Sequence, residues 1–191
     1  MSAEFPVIAI GASAGALDAV RRITEALPRN CEAAIIVVFH VGAIPSQLPE
    51  ILSWHGKMPV LFAEDGAALE PGRIYVAPPD HHVLLEGPGR IRLDRGLKFH
   101  NTRPAVDPLF ASAAATFGRR VVGVVLSGRS KDGATGLKKI QDNGGLALVH
   151  DPNEAAVSQM PAAAVAAANA EVLRIDLLAR RVAQFCAGNG G

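Results

Sequence analysis

The sequence predicts an α/β fold of the doubly wound type, in which a parallel sheet is covered by helices on both faces. Short apolar runs rich in Val and Ile alternate along the chain with longer amphipathic stretches, and this alternation is typical of the class. Most of the apolar runs are unbroken, which indicates strands that are buried on both faces. The 191 residues suit one substantial core and contain no Pro/Ser-rich linker, so we expect a single domain over residues 1–191.

The runs predict seven strands of the main sheet and six helices. The strands, bounded by Gly, Pro or Asp, are Val7–Ile10, Ala34–Phe39, Pro59–Phe62, Arg73–Val76, Val121–Leu126, Leu146–Val149 and Val172–Ile175. The helices are Ala16–Ala26, Ser46–Trp54, Pro108–Phe117, Gly133–Asn143, Pro161–Ala168 and Leu177–Cys186. Asp107 and Pro108 suit the N-cap and first position of the third helix. Between strands four and five, Val83–Glu86 and Arg90–Asp94 flank a Gly-Pro-Gly turn and predict a β-hairpin insertion.

Composition excludes several classes of function. Nineteen basic and 18 acidic residues leave a net charge of +1, with no Lys/Arg stripe, so we expect no nucleic-acid partner. The longest clean apolar run, Ala33 to Phe39, is far too short for a membrane span, and no signal peptide stands at the N-terminus. We therefore expect a cytoplasmic protein without membrane insertion. Cys31 and Cys186 lack metal or disulfide spacing and are expected to be reduced thiols.

The first strand leads directly into a loop that suits a nucleophile. Gly11-Ala12-Ser13-Ala14-Gly15 is a G-x-S-x-G sequence at a strand-to-helix turn. Small neighbours permit a tight turn that projects Ser13, and N–H groups at the helix N-terminus, such as that of Ala14, can stabilise an oxyanion. The motif alone also allows a degenerate phosphate-binding loop, or a tight turn without a chemical role. An ordinary α/β-hydrolase is set aside, because several strands precede the elbow there.

A serine nucleophile needs a base and an acid that orients the base. Of six histidines, His40 directly follows a buried strand that should lie beside the first, at the carboxyl edge where active groups gather. If strand Val121–Leu126 lies on the other side of the first, Asp132 is roughly 10 Å from His40 between backbones, which the side chains and the turn can bridge. Asp132 also suits an N-cap before Gly133, and both roles can coexist.

With these residues placed, the chain resembles the catalytic domain of the chemotaxis protein-glutamate methylesterases, over roughly residues 6–180. The segments that carry the resemblance are Ile8–Gly15, His40, Ala63–Gly66, Pro71–Pro78, Asp80–His82, Arg103–Asp107, Leu126–Gly128, Asp132–Gly133 and Met160–Pro161. The resemblance implies a three-layer α/β/α fold, with seven parallel strands in the order 3-4-2-1-5-6-7 and a hairpin insertion.

The resemblance also implies a site and a reaction. Ser13, His40 and Asp132 would form the triad, with backbone N–H groups of Arg129 and Ala14 as the oxyanion hole. Substrate contacts are expected from Arg103 and Gly128. The reaction would be hydrolysis of γ-glutamyl methyl esters on cytoplasmic chemoreceptor helices, with deamidation of receptor glutamines as a second activity. No metal or cofactor is needed.

Three departures from the family pattern leave alternatives open. The nucleophile is usually followed by Thr-Gly-Gly, which is Ala14-Gly15-Ala16 here, and Met-Gly-Asn before the acid is Arg129-Ser130-Lys131. The receiver domain that commonly accompanies this domain is not in the sequence, which fits an excised domain or an esterase that a receiver domain regulates in trans. Besides the receptor methylesterase, the sequence allows an esterase for another methyl ester and a catalytically weak signalling scaffold.

Overall fold

A parallel sheet of seven strands forms the centre of the computed structural model, which describes residues 5–187. The strands of this sheet are β1 (Val7–Ala12), β2 (Ala34–Phe39), β3 (Val60–Phe62), β4 (Ile74–Val76), β7 (Val121–Val125), β8 (Leu146–His150) and β9 (Glu171–Leu173). Two more strands, β5 (His82–Glu86) and β6 (Arg90–Asp94), pair antiparallel as the predicted hairpin. The helices are α1 (Leu17–Ala26), α2 (Leu48–Ser53), α3 (Val106–Phe117), α4 (Ala134–Asp142), α5 (Gln159–Ala167) and α6 (Ile175–Gln184).

The order of strands places β1 at the point where the chain reverses direction across the sheet. The order β3-β4-β2-β1-β7-β8-β9 is 3-4-2-1-5-6-7 when only the parallel strands are numbered, so the predicted topology is confirmed. In register, Gly11 of β1 pairs with Val38 of β2 on one side and with Val125 of β7 on the other. The loops that follow these three strands therefore leave the sheet side by side, as ligand sites in open α/β sheets require.

Alternate residues of β1 enter two separate cores, which is why its sequence is continuously apolar. Val7 and Ala9 belong to the core beneath α3, α4, α5 and the hairpin. Ile8 and Ile10 belong to the core beneath α1, α2 and α6. All four side chains are fully buried. The sheet is thus the middle of three layers, and the three-layer α/β/α prediction is confirmed.

The predictions for Asp107 and for the two cysteines were wrong. Helix α3 begins at Val106 with Ala105 as its N-cap, so Asp107 lies inside the first turn and does not cap its own helix. Cys31 and Cys186 are not reduced thiols, because a disulfide joins them across 155 residues of sequence. The fold brings them together where the N–H of Glu32 donates to the carbonyl of Cys186 at 2.8 Å.

None of the helices within residues 5–187 is long and apolar enough to cross a bilayer.

Candidate active site

The three residues predicted as a triad lie after neighbouring strands, at one edge of the sheet. Ser13 follows β1, His40 follows β2, and Asp132 lies in the turn between β7 and α4. Since β1 lies between β2 and β7, the nucleophile candidate stands in the middle. Backbone hydrogen bonds tie the loops together: the N–H of His40 donates to Ala12 at 3.1 Å, and the N–H of Ser13 donates to Ser127 at 3.0 Å.

Close packing holds the loop that carries Ser13. Gly15 adopts a φ of 75°, and a Cβ there would lie 2.7 Å from the Cβ of Ala156. A Cβ on Gly128 would lie 2.7 Å from the Cβ of Ser13 and 2.1 Å from the sulfur of Met160. Both positions therefore require glycine, and Ser13 is left with 8% of its surface exposed. Ser13 is therefore nearly buried, in a turn that leaves no room for a larger residue at position 15 or 128.

His40 and Asp132 form a buried, hydrogen-bonded pair. Nε2 of His40 lies 2.7 Å from Oδ2 of Asp132, and their side chains are 10% and 0% exposed. The carboxylate accepts two further hydrogen bonds from the start of α3, from the N–H of Val106 at 2.6 Å and from that of Asp107 at 2.9 Å. Burial alone would raise the pKa of Asp132, but these hydrogen bonds, that of His40 foremost, hold it below its ordinary value.

This arrangement assigns the two ring nitrogens of His40. A carboxylate surrounded by N–H donors is an anion that only accepts, so Nε2 of His40 carries the proton and Nδ1 is left as the basic nitrogen. Within residues 5–187, no hydrogen bond joins the hydroxyl of Ser13 to His40. Such contacts are often long in the absence of substrate and tighten when it binds.

The residues predicted for the oxyanion hole are Ala14 and Arg129, and this role stays a prediction. In the described part of the chain, the N–H groups of Ala14 and Arg129 donate no hydrogen bond to protein atoms. The side chain of Arg129 is exposed. Both amides lie in loops that Ser127 joins, because its hydroxyl donates to the carbonyl of Ala14 at 2.7 Å and accepts from the N–H of Val157 at 2.9 Å.

Arg103, predicted to contact substrate, is engaged within the chain. Its Nε and Nη2 donate to Oδ1 of Asp80 at 3.0 and 2.6 Å. Its Nη1 donates to the carbonyls of Arg95 and Gly96. Arg103 thereby ties the segment after the hairpin to the loop that precedes β5, and its contact with substrate stays a prediction.

Sequence reasoning missed the contribution of α3 to the site. Asp132 caps a helix, as one interpretation of the sequence held, but the helix is α3 and not its own helix α4.

Polar atoms of His100, Asp107 and Asp132 lie within 4.8 Å of one another, a spacing at which a metal ion can be held. Each carboxylate oxygen of the two aspartates already has a hydrogen-bonding partner in the chain. The cluster is therefore explained as a hydrogen-bond network.

Comparison with solved structures identifies the class of protein that has this fold. The structure is similar to the crystal structure of the Thermotoga maritima CheB methylesterase catalytic domain, with a TM-score of 0.90 and 30% sequence identity. The match covers 95% of this chain and 99% of that one. The fold is that of an α/β/α methylesterase catalytic domain.

The family follows from the sequence comparisons. The family described as CheB methylesterase matches residues 8–182, and this chain belongs to it. A Leptospira interrogans protein whose name assigns it to the protein-glutamate methylesterases/protein-glutamine glutaminases is 36% identical over 178 residues, covering 92% of each chain. The protein-glutamate methylesterase FrzG of Myxococcus xanthus is 36% identical over 183 residues, 95% of this chain and 55% of FrzG. This chain thus spans about half the length of FrzG.

Proposed function

We propose that this chain hydrolyses γ-glutamyl methyl esters on chemoreceptors through an acyl-enzyme, and deamidates glutamine side chains at the same site. The observation that carries the proposal is the buried pair of His40 and Asp132, joined at 2.7 Å. The pair lies at the sheet edge where Ser13 follows the first strand. Membership of the CheB methylesterase family supports the ester as substrate. The relatives named methylesterase and glutaminase support the two activities.

Acylation uses Nδ1 of His40 as the general base. Nδ1 takes the proton of the Ser13 hydroxyl while Oγ attacks the ester carbonyl, and the anion of Asp132 stabilises the imidazolium that forms. The N–H groups of Ala14 and Arg129 hold the oxyanion of the tetrahedral intermediate. The intermediate then expels methoxide, which leaves as methanol with the proton from Nδ1.

Deacylation repeats the cycle with water as the nucleophile. His40 takes a proton from water, hydroxide adds to the acyl carbon, and the bond to Oγ of Ser13 breaks as the proton returns to Oγ. Glutamine follows the same path with ammonia as the leaving group. Methanol and ammonia are both small leaving groups, which suits a serine that is only 8% exposed.

The partners we propose are methylated cytoplasmic helices of chemoreceptors, with a receiver domain supplied in trans as a regulator. Since these receptor helices are cytoplasmic, we propose that the chain acts in the cytoplasm. We propose no nucleic-acid partner and no insertion into the membrane.

The experiment that tests the proposal is methanol release from receptor membranes that carry radiolabelled methyl esters. The proposal predicts steady release by the wild-type chain, together with slower turnover of small methyl esters. Activity on small esters alone would point to another methyl ester as the substrate. No activity on either substrate, with the chain folded and bound to receptor, would indicate that the chain is a signalling scaffold.

A further inference from the structure

Helices α3 and α4 begin side by side at the site. Asp107 of α3 caps α4, and Asp132, in the turn before α4, caps α3. The first N–H groups of α3, those of Val106 and Asp107, donate to Asp132. The N–H groups of Gly133 and Gly136, at the start of α4, donate to Oδ1 of Asp107 at 3.1 and 2.7 Å. Neither helix has a side-chain cap from its own N-cap residue. The two caps are thus exchanged between the helices.

We propose that Asp107 is a positioning residue for Asp132, an inference that rests on the proposed function. Its backbone N–H holds Oδ1 of Asp132, and its carboxylate fixes Gly133, the residue that follows Asp132. Asp132 is therefore held from both sides, by its oxygen and by its backbone. These restraints direct Oδ2 towards Nε2 of His40.

Packing between the helices leaves little room for another arrangement. A Cβ on Gly136 would lie 2.5 Å from the Cβ of Phe110 and 3.1 Å from Oδ1 of Asp107, so the helices meet closely where the cap forms. The side chain of Asp107 is 13% exposed. Two carboxylates this close would repel each other, but each lies at a helix N-terminus, where the dipole and the free N–H groups favour an anion.

His100 completes the network on the solvent side. Its Nε2 lies 3.1 Å from Oδ2 of Asp107, and its side chain is 37% exposed. Oδ2 faces this ring, so Oδ1 alone serves the two glycine N–H groups. An asparagine at position 107 can keep that single acceptor, whereas an alanine cannot.

The test compares Asp107→Ala with Asp107→Asn in the whole chain. Asp107→Ala should lower kcat for methanol release about 100-fold with KM unchanged, as expected for a catalytic group displaced by about 1 Å. Asp107→Asn should restore kcat to within about tenfold of the wild type, because Oδ1 still accepts from α4. Should Asp107→Ala fail to fold, Asp107→Glu keeps the charge, displaces it by one methylene group, and should show the same loss of kcat.

Glu154→Ala is the matched control. The carboxylate of Glu154 accepts from the N–H of Ile175, at the start of α6, at 2.6 Å, and it lies 3.1 Å from Nε2 of His150. Like Asp107, Glu154 is a helix cap paired with a histidine, and it also accepts from Nε of Arg174 at 3.2 Å. The helix that it caps does not hold Asp132. Glu154→Ala should lower the melting temperature about as much as Asp107→Ala does, while kcat stays near the wild-type value.

A measurement without substrate separates this inference from the proposed function. The proton between Nε2 of His40 and Asp132 should give a low-field proton NMR resonance, assigned by its loss in Asp132→Ala. The resonance should shift or broaden in Asp107→Ala and remain in Asp107→Asn and Glu154→Ala, even if no substrate is turned over. An unchanged resonance in folded Asp107→Ala overturns the positioning role, and so does a fall in kcat that Glu154→Ala matches.

Discussion

Replacing Asp132 by Asn tests the pair with His40 by exchanging one carboxylate oxygen for an NH₂ group. The carboxylate receives only donors: Oδ2 accepts from His40 and from the N–H of Val106, and Oδ1 accepts from the N–H of Asp107. An amide has one acceptor oxygen, so its NH₂ group must face a backbone N–H in either orientation. The unpaired buried donors should lower the free energy of unfolding by about 1–3 kcal/mol.

The loss of activity should be larger than the loss of stability. The variant has no anion to stabilise the imidazolium, and the same change in a Ser-His-Asp protease lowers kcat about 10⁴-fold, or about 5 kcal/mol of barrier. We expect a fall of about 10³- to 10⁴-fold in methanol release by a protein whose circular dichroism is unchanged. Asp65→Asn is the control, because Asp65 accepts from the N–H of Leu93 at 2.8 Å on the exposed hairpin side. It should keep full activity.

The stability difference should also depend on pH in a defined direction. The pKa of Asp132 is lowered in the folded protein, so its stabilising contribution is complete above the ordinary carboxyl pKa and is lost as the pH falls through the folded-state value. The gap in unfolding free energy between wild type and Asp132→Asn should therefore be largest near about pH 7 and shrink towards about pH 3. Wild-type kcat in a folded Asp132→Asn variant would refute the reasoning.

Three further substitutions test the surroundings of Ser13. Gly128→Ala should abolish turnover and lower the free energy of unfolding by about 1–3 kcal/mol, since its Cβ would lie 2.7 Å from that of Ser13; denaturant titration and an ester assay check both, and wild-type turnover would contradict the crowding. Arg129→Met keeps its backbone amide, so it should preserve hydrolysis of a neutral ester but slow the reaction with acidic receptor helices at low salt; equal loss on both substrates would exclude steering. Ser130→Gly should raise the free energy of unfolding by about 1 kcal/mol because Ser130 has a φ of 103°; a lower melting temperature would show that its hydrogen bond to Asp132 matters more.

The parts of the fold that depend on neighbouring residues could be predicted from the sequence. The apolar run from Val7 and the G-x-S-x-G loop are local signals, and the structure places a buried strand and a tight turn there. Boundaries were less certain where two patterns overlap. Val172–Ile175 was predicted as a strand, but β9 is Glu171–Leu173 because Ile175 begins α6, where its N–H is capped by Glu154.

The parts that depend on distant residues could not be predicted. Asp107 is followed by Pro108, a pattern typical of an N-cap, and such a local pattern assigns Asp107 to its own helix. In the structure it caps α4, because α3 and α4 pack closely enough for its carboxylate to reach Gly133 and Gly136. Cys31 and Cys186 likewise carry no spacing signal, since their pairing depends on the fold that brings the end of α6 to the start of β2.

The most direct test of the proposed mechanism is to trap an acyl group on Ser13. The wild-type chain is mixed with an activated ester, quenched in acid, and digested for mass spectrometry. The mechanism predicts one adduct, on the peptide that contains Ser13, with no adduct and almost no methanol release in a folded Ser13→Ala variant. An adduct on another residue, or substantial methanol release by Ser13→Ala, would contradict the assignment of Ser13 as the nucleophile.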